Sequence, residues 1–331
     1  MKKIHPLFSL LVLLLLQLHS FAQYDNEGKK KYEFAKSRAV NKSYNVSPAD
    51  KLNISNSFGS VDLHTWTKNE IKVDVVIEVS ANTEAFAQKI FDGIDVSENQ
   101  KGNEISFKTS IKGSNNSKND KSNMSVNYSI YMPASNPLRI SNEFGATTLP
   151  DYNGQVDLIS KFGSLTTGSL PDTKSISVEF GKAELGSVSN GTVTVKYSKA
   201  SIGKLSGNVK LNFEFCGSAK VGIDNSLTGL DLRASYSVIN LRPTGSLPAA
   251  YHITTSFGSF KNTTAIKFDS DEKDDNKGPK FDFIYEGKSG NGTIPVKAST
   301  SFGKIILGEA SQADMDDKDK SHSKGKKIAD I

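Results

Sequence analysis

The chain is poor in the residues that most chemistry needs. It has one cysteine, Cys216, in 331 residues, which excludes an internal disulfide framework and a thiolate zinc cluster. Beyond residue 23 the only histidines are His64, His252 and His322, too scattered to form an evident metal set. No nucleophile elbow, phosphate-binding glycine loop or H-E-x-x-H run is present. Net charge is also small: 41 Lys+Arg against 36 Asp+Glu give +5, far from the basic extreme that marks nucleic-acid binding. Apolar runs are scarce too. Beyond the first 23 residues none is long enough to cross a bilayer.

The remaining composition is that of a folded chain, with 36% hydrophobic and 23% charged residues. The length fits about two domains or one elongated one. Lys2 and Lys3, the apolar run from Leu7 to Leu18, and Ser20, Phe21 and Ala22 match the three parts of a secretory leader. Residues 1–22 are therefore expected to be a signal peptide. The protein is then exported to the periplasm, cell surface or medium, with no integral membrane segment after cleavage. No cysteine near the cleavage point offers a lipid attachment site.

An internal repeat organises most of the chain. An aromatic followed by a small residue recurs at Phe58, Phe144, Phe162, Phe180, Tyr197, Phe215, Tyr236, Phe257 and Phe302, and from Phe144 the spacings are 18, 18, 17, 18, 21, 21 and 45. Four residues before each stand Ile54, Ile140, Leu158, Ile176, Val193, Leu211, Leu232, Ile253 and Ala298. Apolar pairs such as Ala183/Leu185 and Ile239/Leu241 follow three and five residues after. Period-two alternation on both sides of a small corner describes two short strands per repeat. A unit this small buries its apolar face only by stacking on copies of itself.

The fold predicted is all-β: a single-stranded parallel β-solenoid of about eight coils, right-handed, with the aromatics from Phe144 to Phe257 as an internal ladder. The glycine after each aromatic would sit where a Cβ crowds the next coil. At the fifth regular corner Cys216 replaces it, and Gly217 reads as a one-residue shift. The residues just before the aromatics, Glu143, Lys161, Glu179, Lys196 and Glu214, alternate in sign and would pair between coils.

The boundaries follow. Residues 23–46 read as a flexible linker and 47–309 as the solenoid domain. Residues 80–135 read as an insertion of helix and hairpins, its helix capped by Asn82, covering one open end. A second insertion spans 263–295, and 310–331 read as a disordered charged tail. Within the second insertion the Asp269–Asp275 carboxylates read as a solvated turn, with a calcium site as the alternative: they lack the order of an EF-hand loop and Lys273 interrupts them.

Three features together resemble a bacterial adhesin-like family of β-strand repeat proteins of unknown function, related to the head domains of auto-transporter adhesins. They are Leu52–Leu63 around Phe58-Gly59, the Thr65–Val73 run with the helix after it, and the train of aromatic-Gly corners. The resemblance covers residues 47–309 and implies a β-solenoid exported to the envelope, as in Bacteroidetes-like bacteria. It supplies no catalytic residues to carry over. A C-terminal membrane-barrel pattern is lacking.

Catalysis finds little support. Glu179 and Glu214 could act as acids, but flanking lysines make them register devices. Trp66 could stack on a sugar, though a lone tryptophan suits packing. Ser201/Lys204 and Ser301/Lys304 match a loose S-x-x-K spacing inside ordinary repeats. The column Arg139, Asp157, Ser175, Thr192, Lys210, Asp231, His252 offers no adjacent acids. The expectation is thus a non-catalytic envelope protein, adhesin-like or a scaffold, without cofactor, catalytic residues or metal. Its partner would be an unknown envelope protein or surface glycan, not nucleic acid. A periplasmic accessory in envelope sensing and a polysaccharide-active β-helix enzyme are the alternatives.

Overall fold

The computed structural model of the chain describes residues 32–113, 118–245, 247–271 and 281–315. The leader at 1–22 lies outside them, as does the part of the Asp269–Asp275 loop from residue 272. Among the described residues the protein is all-β, with 23 strands and two helices, Glu84–Gly93 and Gln312–Met315. No described helix is long and apolar enough to cross a membrane.

The repeats become two columns of mainly parallel strands meeting at the aromatic corners. The first column runs Glu104–Ile111, Lys51–Ser57, Leu138–Glu143, Val156–Lys161, Thr173–Glu179 and Thr192–Lys196. It continues through the second halves of Lys199–Glu214 and Ala219–Ser235, then Ile294–Ser301 and Ala249–Ser256. The second column runs Ser122–Pro133, Val61–Trp66, Ala146–Leu149, Ser164–Leu170 and Lys182–Ser189. It continues through the first halves of the same two long strands, then Val238–Pro243, Lys304–Leu307 and Ser259–Asn262. Alternation decides which side is buried: Val156, Leu158 and Ser160 point in, while Asp157 and Lys161 stay half-exposed. The column four residues before each aromatic, Ile54 through Ala298, is wholly buried. Each large aliphatic so placed contributes about 1.5–3 kcal/mol.

The chain does not stack in sequence order at its end. Ile294–Ser301 pairs on one side with Leu230–Ser235 and on the other with Ala249–Ser256. The last repeat therefore lies between the two that precede it. Beyond Ala249–Ser256, Asp282–Lys288 adds antiparallel and Phe268–Ser270 pairs with it.

The opposite end is closed by antiparallel strands. Ile94–Lys101 covers Glu104–Ile111, and Glu70–Ala81 covers Ser122–Pro133. Phe34–Asn45 pairs along its whole length with Glu70–Ala81, so these residues are a strand and not part of a flexible linker. They were obscured because Lys36, Arg38 and Lys42 interrupt the face on which Phe34, Val40 and Tyr44 pack. There Arg38 donates to the Ile94 carbonyl and Lys42 reaches Glu98 at 2.5 Å. The helix is capped by Thr83, whose side chain accepts from the Phe86 amide, and Asn82 instead bonds Lys121 and Asn119. The tail also needs correcting at its start: Met315 is buried against Val238 and Ile306. Asp314 holds Lys261 at 2.6 Å and Lys304 at 3.5 Å.

Candidate functional site: an exterior aromatic ladder

The recurring aromatics do not line the core. Phe58, Phe144, Phe162, Phe180, Tyr197, Phe215, Tyr236, Phe257 and Phe302 are each 36–54% exposed. All nine have φ between 47° and 63°, the left-handed region that costs a side-chain-bearing residue roughly 1–2 kcal/mol. This reverses the side predicted for them. Ile176 and Val178 point inward, and strict period two would send Phe180 after them. The left-handed residue ends the strand and swings the ring out.

The glycines explain why the corner can stack so tightly. A Cβ on Gly145 would lie 1.7 Å from the Gly59 carbonyl oxygen, and one on Gly163 would lie 2.0 Å from that of Gly145. Three successive corners carry side chains here instead. The Ser198 hydroxyl accepts from the Gly181 amide, and the Ser237 hydroxyl from the Cys216 amide, both at 2.9 Å. Gly217 is the extra residue expected after Cys216, because Ala200 pairs with Ala219 across it. Burial pushes the Cys216 thiol up from its ordinary value.

The rings form one continuous stack. In spatial order it runs Phe58, Phe144, Phe162, Phe180, Tyr197, Phe215, Tyr236, Phe302, Phe257 and Phe281, with centroids 4.7–5.1 Å apart and planes within 14°. Three members lie outside the ladder predicted from Phe144 to Phe257, the first being Phe58 at one end. Phe302 stands between Tyr236 and Phe257 through the inverted strand order, and Phe281 joins from outside the repeat. The amide of each ring-bearing corner donates to the next layer, as from Phe180 to Lys196 at 3.1 Å and from Tyr197 to Glu214 at 2.9 Å.

This geometry limits what the ladder can touch. Interior rings have both faces covered by neighbours, so only their rims meet water. A sugar ring packs on an aromatic face and finds room only at the two ends. The rims instead make a long apolar rail. Nine steps at the strand spacing give about 43 Å. Ten half-exposed rings present on the order of 1,000 Å², whereas the largest apolar patch on an ordinary monomer is about 300–600 Å².

Charges border the rail. Lys161 lies in register between Glu143 and Glu179, and Lys196 between Glu179 and Glu214. Lys161 Nζ is 3.9 Å from Glu179 and Lys196 Nζ is 3.0 Å from Glu214. Glu214 holds Lys196 above the ordinary lysine value. Glu179 and Glu214 thus sit in a ladder of opposite charges. On the other flank stand Lys182 and Lys199, adjacent in register.

The other sequence candidates are dispersed. Asp157 accepts from Arg139 and from Ser175 at 2.6 Å, tying three layers together. Trp66 donates to the Glu70 carbonyl at 2.7 Å, lies 5.6 Å from Tyr131 and carries Lys68 over its ring, which is packing at a hairpin. His64 stacks on Tyr131 at 4.8 Å. Ser201 and Lys204 share a strand, while Lys304 is engaged with Asp314. An open groove of about 540 Å³ lies beside the far end, lined by residues that include His252, Glu286, Lys288 and Lys297. His252 there meets Glu286 at 3.2 Å.

No family model matches the chain, and no curated protein is significantly similar to it. Among solved structures it is similar to a candidate adhesin from Bacteroides fragilis NCTC 9343, at 15% identity and TM-score 0.39, covering 82% of this chain and 97% of that one. A candidate cell adhesion protein from Clostridium sporogenes ATCC 15579 matches at 14% identity and TM-score 0.23, over 83% and 100% of the two chains. A candidate lipid-binding protein from Parabacteroides distasonis ATCC 8503 matches at 10% identity and TM-score 0.31, over 83% and 97%.

Proposed function

We propose that the protein is an exported, non-catalytic binding module of the bacterial envelope, adhesin-like or scaffolding in role. In this reading the two strand columns are the legs of a β-solenoid, and the exterior ladder is its contact face. The observation that carries the proposal is the ten-ring rail itself. Nine of its residues sit in a strained backbone conformation that turns them away from the core, where burial would stabilise them more. An apolar surface held open at that cost is a surface for contact. Because rims and not ring faces are offered, the partner is an apolar protein surface in preference to a glycan. Export rests on the leader-like residues 1–22.

The test has two readouts. A tag at the chain's C-terminus should be cut by external protease in intact cells while a periplasmic control protein survives. Purified protein lacking residues 1–22 should bind isolated envelopes, and Phe180→Ser, Tyr197→Ser and Phe215→Ser together should abolish that binding without unfolding the protein. A tag protected until the outer membrane is opened rules out surface adhesion. Binding that survives the triple change removes the ladder from the proposal.

A further inference from the structure

We infer that the partner of the rail is a second copy of this chain, joined ladder to ladder with the two stacks antiparallel. The inference rests on the reading of the ladder as the contact face and goes further by naming its occupant. Two observations carry it: the area of the rail and the order of charges beside it.

A rail of on the order of 1,000 Å² on each copy would remove about 2,000 Å² in total, the upper end of a standard stable interface. A straight stripe repeated at one spacing is also complementary to itself. Rims of one stack meet rims of another at the same 4.7–5.1 Å interval.

The charges select the antiparallel arrangement. With ten rungs, full overlap places the two-fold axis between the fifth, Tyr197, and the sixth, Phe215. In the column just before the rings, Lys196 then faces Glu214 of the other copy. Glu179, one rung further, faces Ser235, and the remaining charges in this column from Lys161 to Glu143 face serines at Ser301 and Ser256. On the other flank Lys199 falls opposite the segment at Gly217, and Lys182 opposite Val238. Lys304, also on that flank, falls opposite Ser164, and Asp282, in register with Ser256, falls opposite Ser57, so among the described residues no like charges are opposed on either side. Where charge does meet charge, at Lys196 and Glu214 on either side of the axis, the signs are opposite. Such an isologous contact closes on itself and does not propagate into a fibre.

Light scattering after gel filtration of the chain lacking residues 1–22 should give twice the monomer mass at micromolar concentration. The triple change Phe180→Ser, Tyr197→Ser, Phe215→Ser should halve that mass. A second experiment does not depend on the triple variant folding. Glu179→Cys with Ser235→Cys should give a covalent dimer with a short bifunctional maleimide, because the two positions face each other across the axis at about the 10 Å between packed sheets, too far for a direct disulfide. Within one chain they lie three strand spacings apart, about 14 Å, and a bridge there would leave the mass that of a monomer. Glu143→Cys with Ser235→Cys should stay uncrosslinked, and the native Cys216 is buried. A monomeric wild type that does not crosslink through 179 and 235 overturns the dimer. If that monomer still needs the ladder to bind envelopes, the contact-face reading stands and another protein occupies the rail. Crosslinking through 143 and 235 as readily as through 179 and 235 also overturns the arrangement.

Discussion

The carbonyl oxygen of Gly163 lies 1.8 Å from where a Cβ on Gly181 would stand. The two layers at this corner approach backbone to backbone, and the adjoining rings, Phe162 and Phe180, stack at 5.0 Å. Gly181→Ala must push these layers apart. It should destabilise the protein by about 3 kcal/mol, in the range of severe overpacking. Gly217→Ala, with nothing within 4 Å of its added Cβ, should change stability by less than about 0.5 kcal/mol. Urea unfolding of the two variants side by side makes the comparison.

Lys196→Glu should also weaken the fold. It places three carboxylates in successive register positions, 179, 196 and 214. Half-exposed cross-strand pairs contribute about 0.2–1 kcal/mol each, so a loss near 1 kcal/mol is expected, and Lys196→Glu with Glu214→Lys should recover part of it. The sign with pH follows from the raised lysine value. The pair's contribution is complete below the ordinary lysine pKa and disappears as pH rises through the higher folded value. The wild-type advantage over Lys196→Met in thermal unfolding should therefore shrink in strong base.

Tyr128 supplies a second, independent base sensitivity. It is fully buried, its hydroxyl is 2.8 Å from Thr109 Oγ1, and burial raises its pKa to about 12. Below pH 10 the phenol is neutral folded or unfolded, and it has no pH effect. Between 10 and about 12 the unfolded chain loses the proton while the folded chain keeps it. Stability then falls by up to about 1.4 kcal/mol per pH unit. Tyr128→Phe should flatten that part of the profile, at a cost near neutrality of about 1 kcal/mol for the lost hydrogen bond.

Removing residues 294–315 should affect a distant part of the sequence first. Ala249–Ser256 would lose its parallel partner, Ile294–Ser301. Hydrogen exchange in residues 249–256 and 282–288 should accelerate severalfold or more, while residues 138–196 keep their protection. Uniform loss of protection throughout would contradict the layer-by-layer contacts.

Much of this architecture was legible because it repeats. The buried column from Ile54 to Ala298, the alternating charges and the extra residue at Gly217 all follow from period and spacing. The side on which the rings lie was not legible. Ile176, Val178 and Phe180 share parity, and only a backbone angle, absent from any pattern of hydrophobicity, turns the third residue outward. The order Tyr236, Phe302, Phe257 was hidden for another reason. The gap of 45 residues marks a departure from the repeat without saying where the chain returns. Phe34–Asn45 escaped because Lys36, Arg38 and Lys42 interrupt the alternating apolar face made by Phe34, Val40 and Tyr44.

The inverted order of the last layers has a mechanical consequence. The last strands described, Ile294–Ser301 and Lys304–Leu307, are not the end of the stack. Tension applied through the C-terminal residues would reach Lys304–Leu307 and Ile294–Ser301, each held between parallel neighbours on both sides. An outermost strand can be peeled away one hydrogen bond at a time. A strand sandwiched between two others must break both rows together, in shear, so the chain is clamped at the point where a pull on its end would arrive.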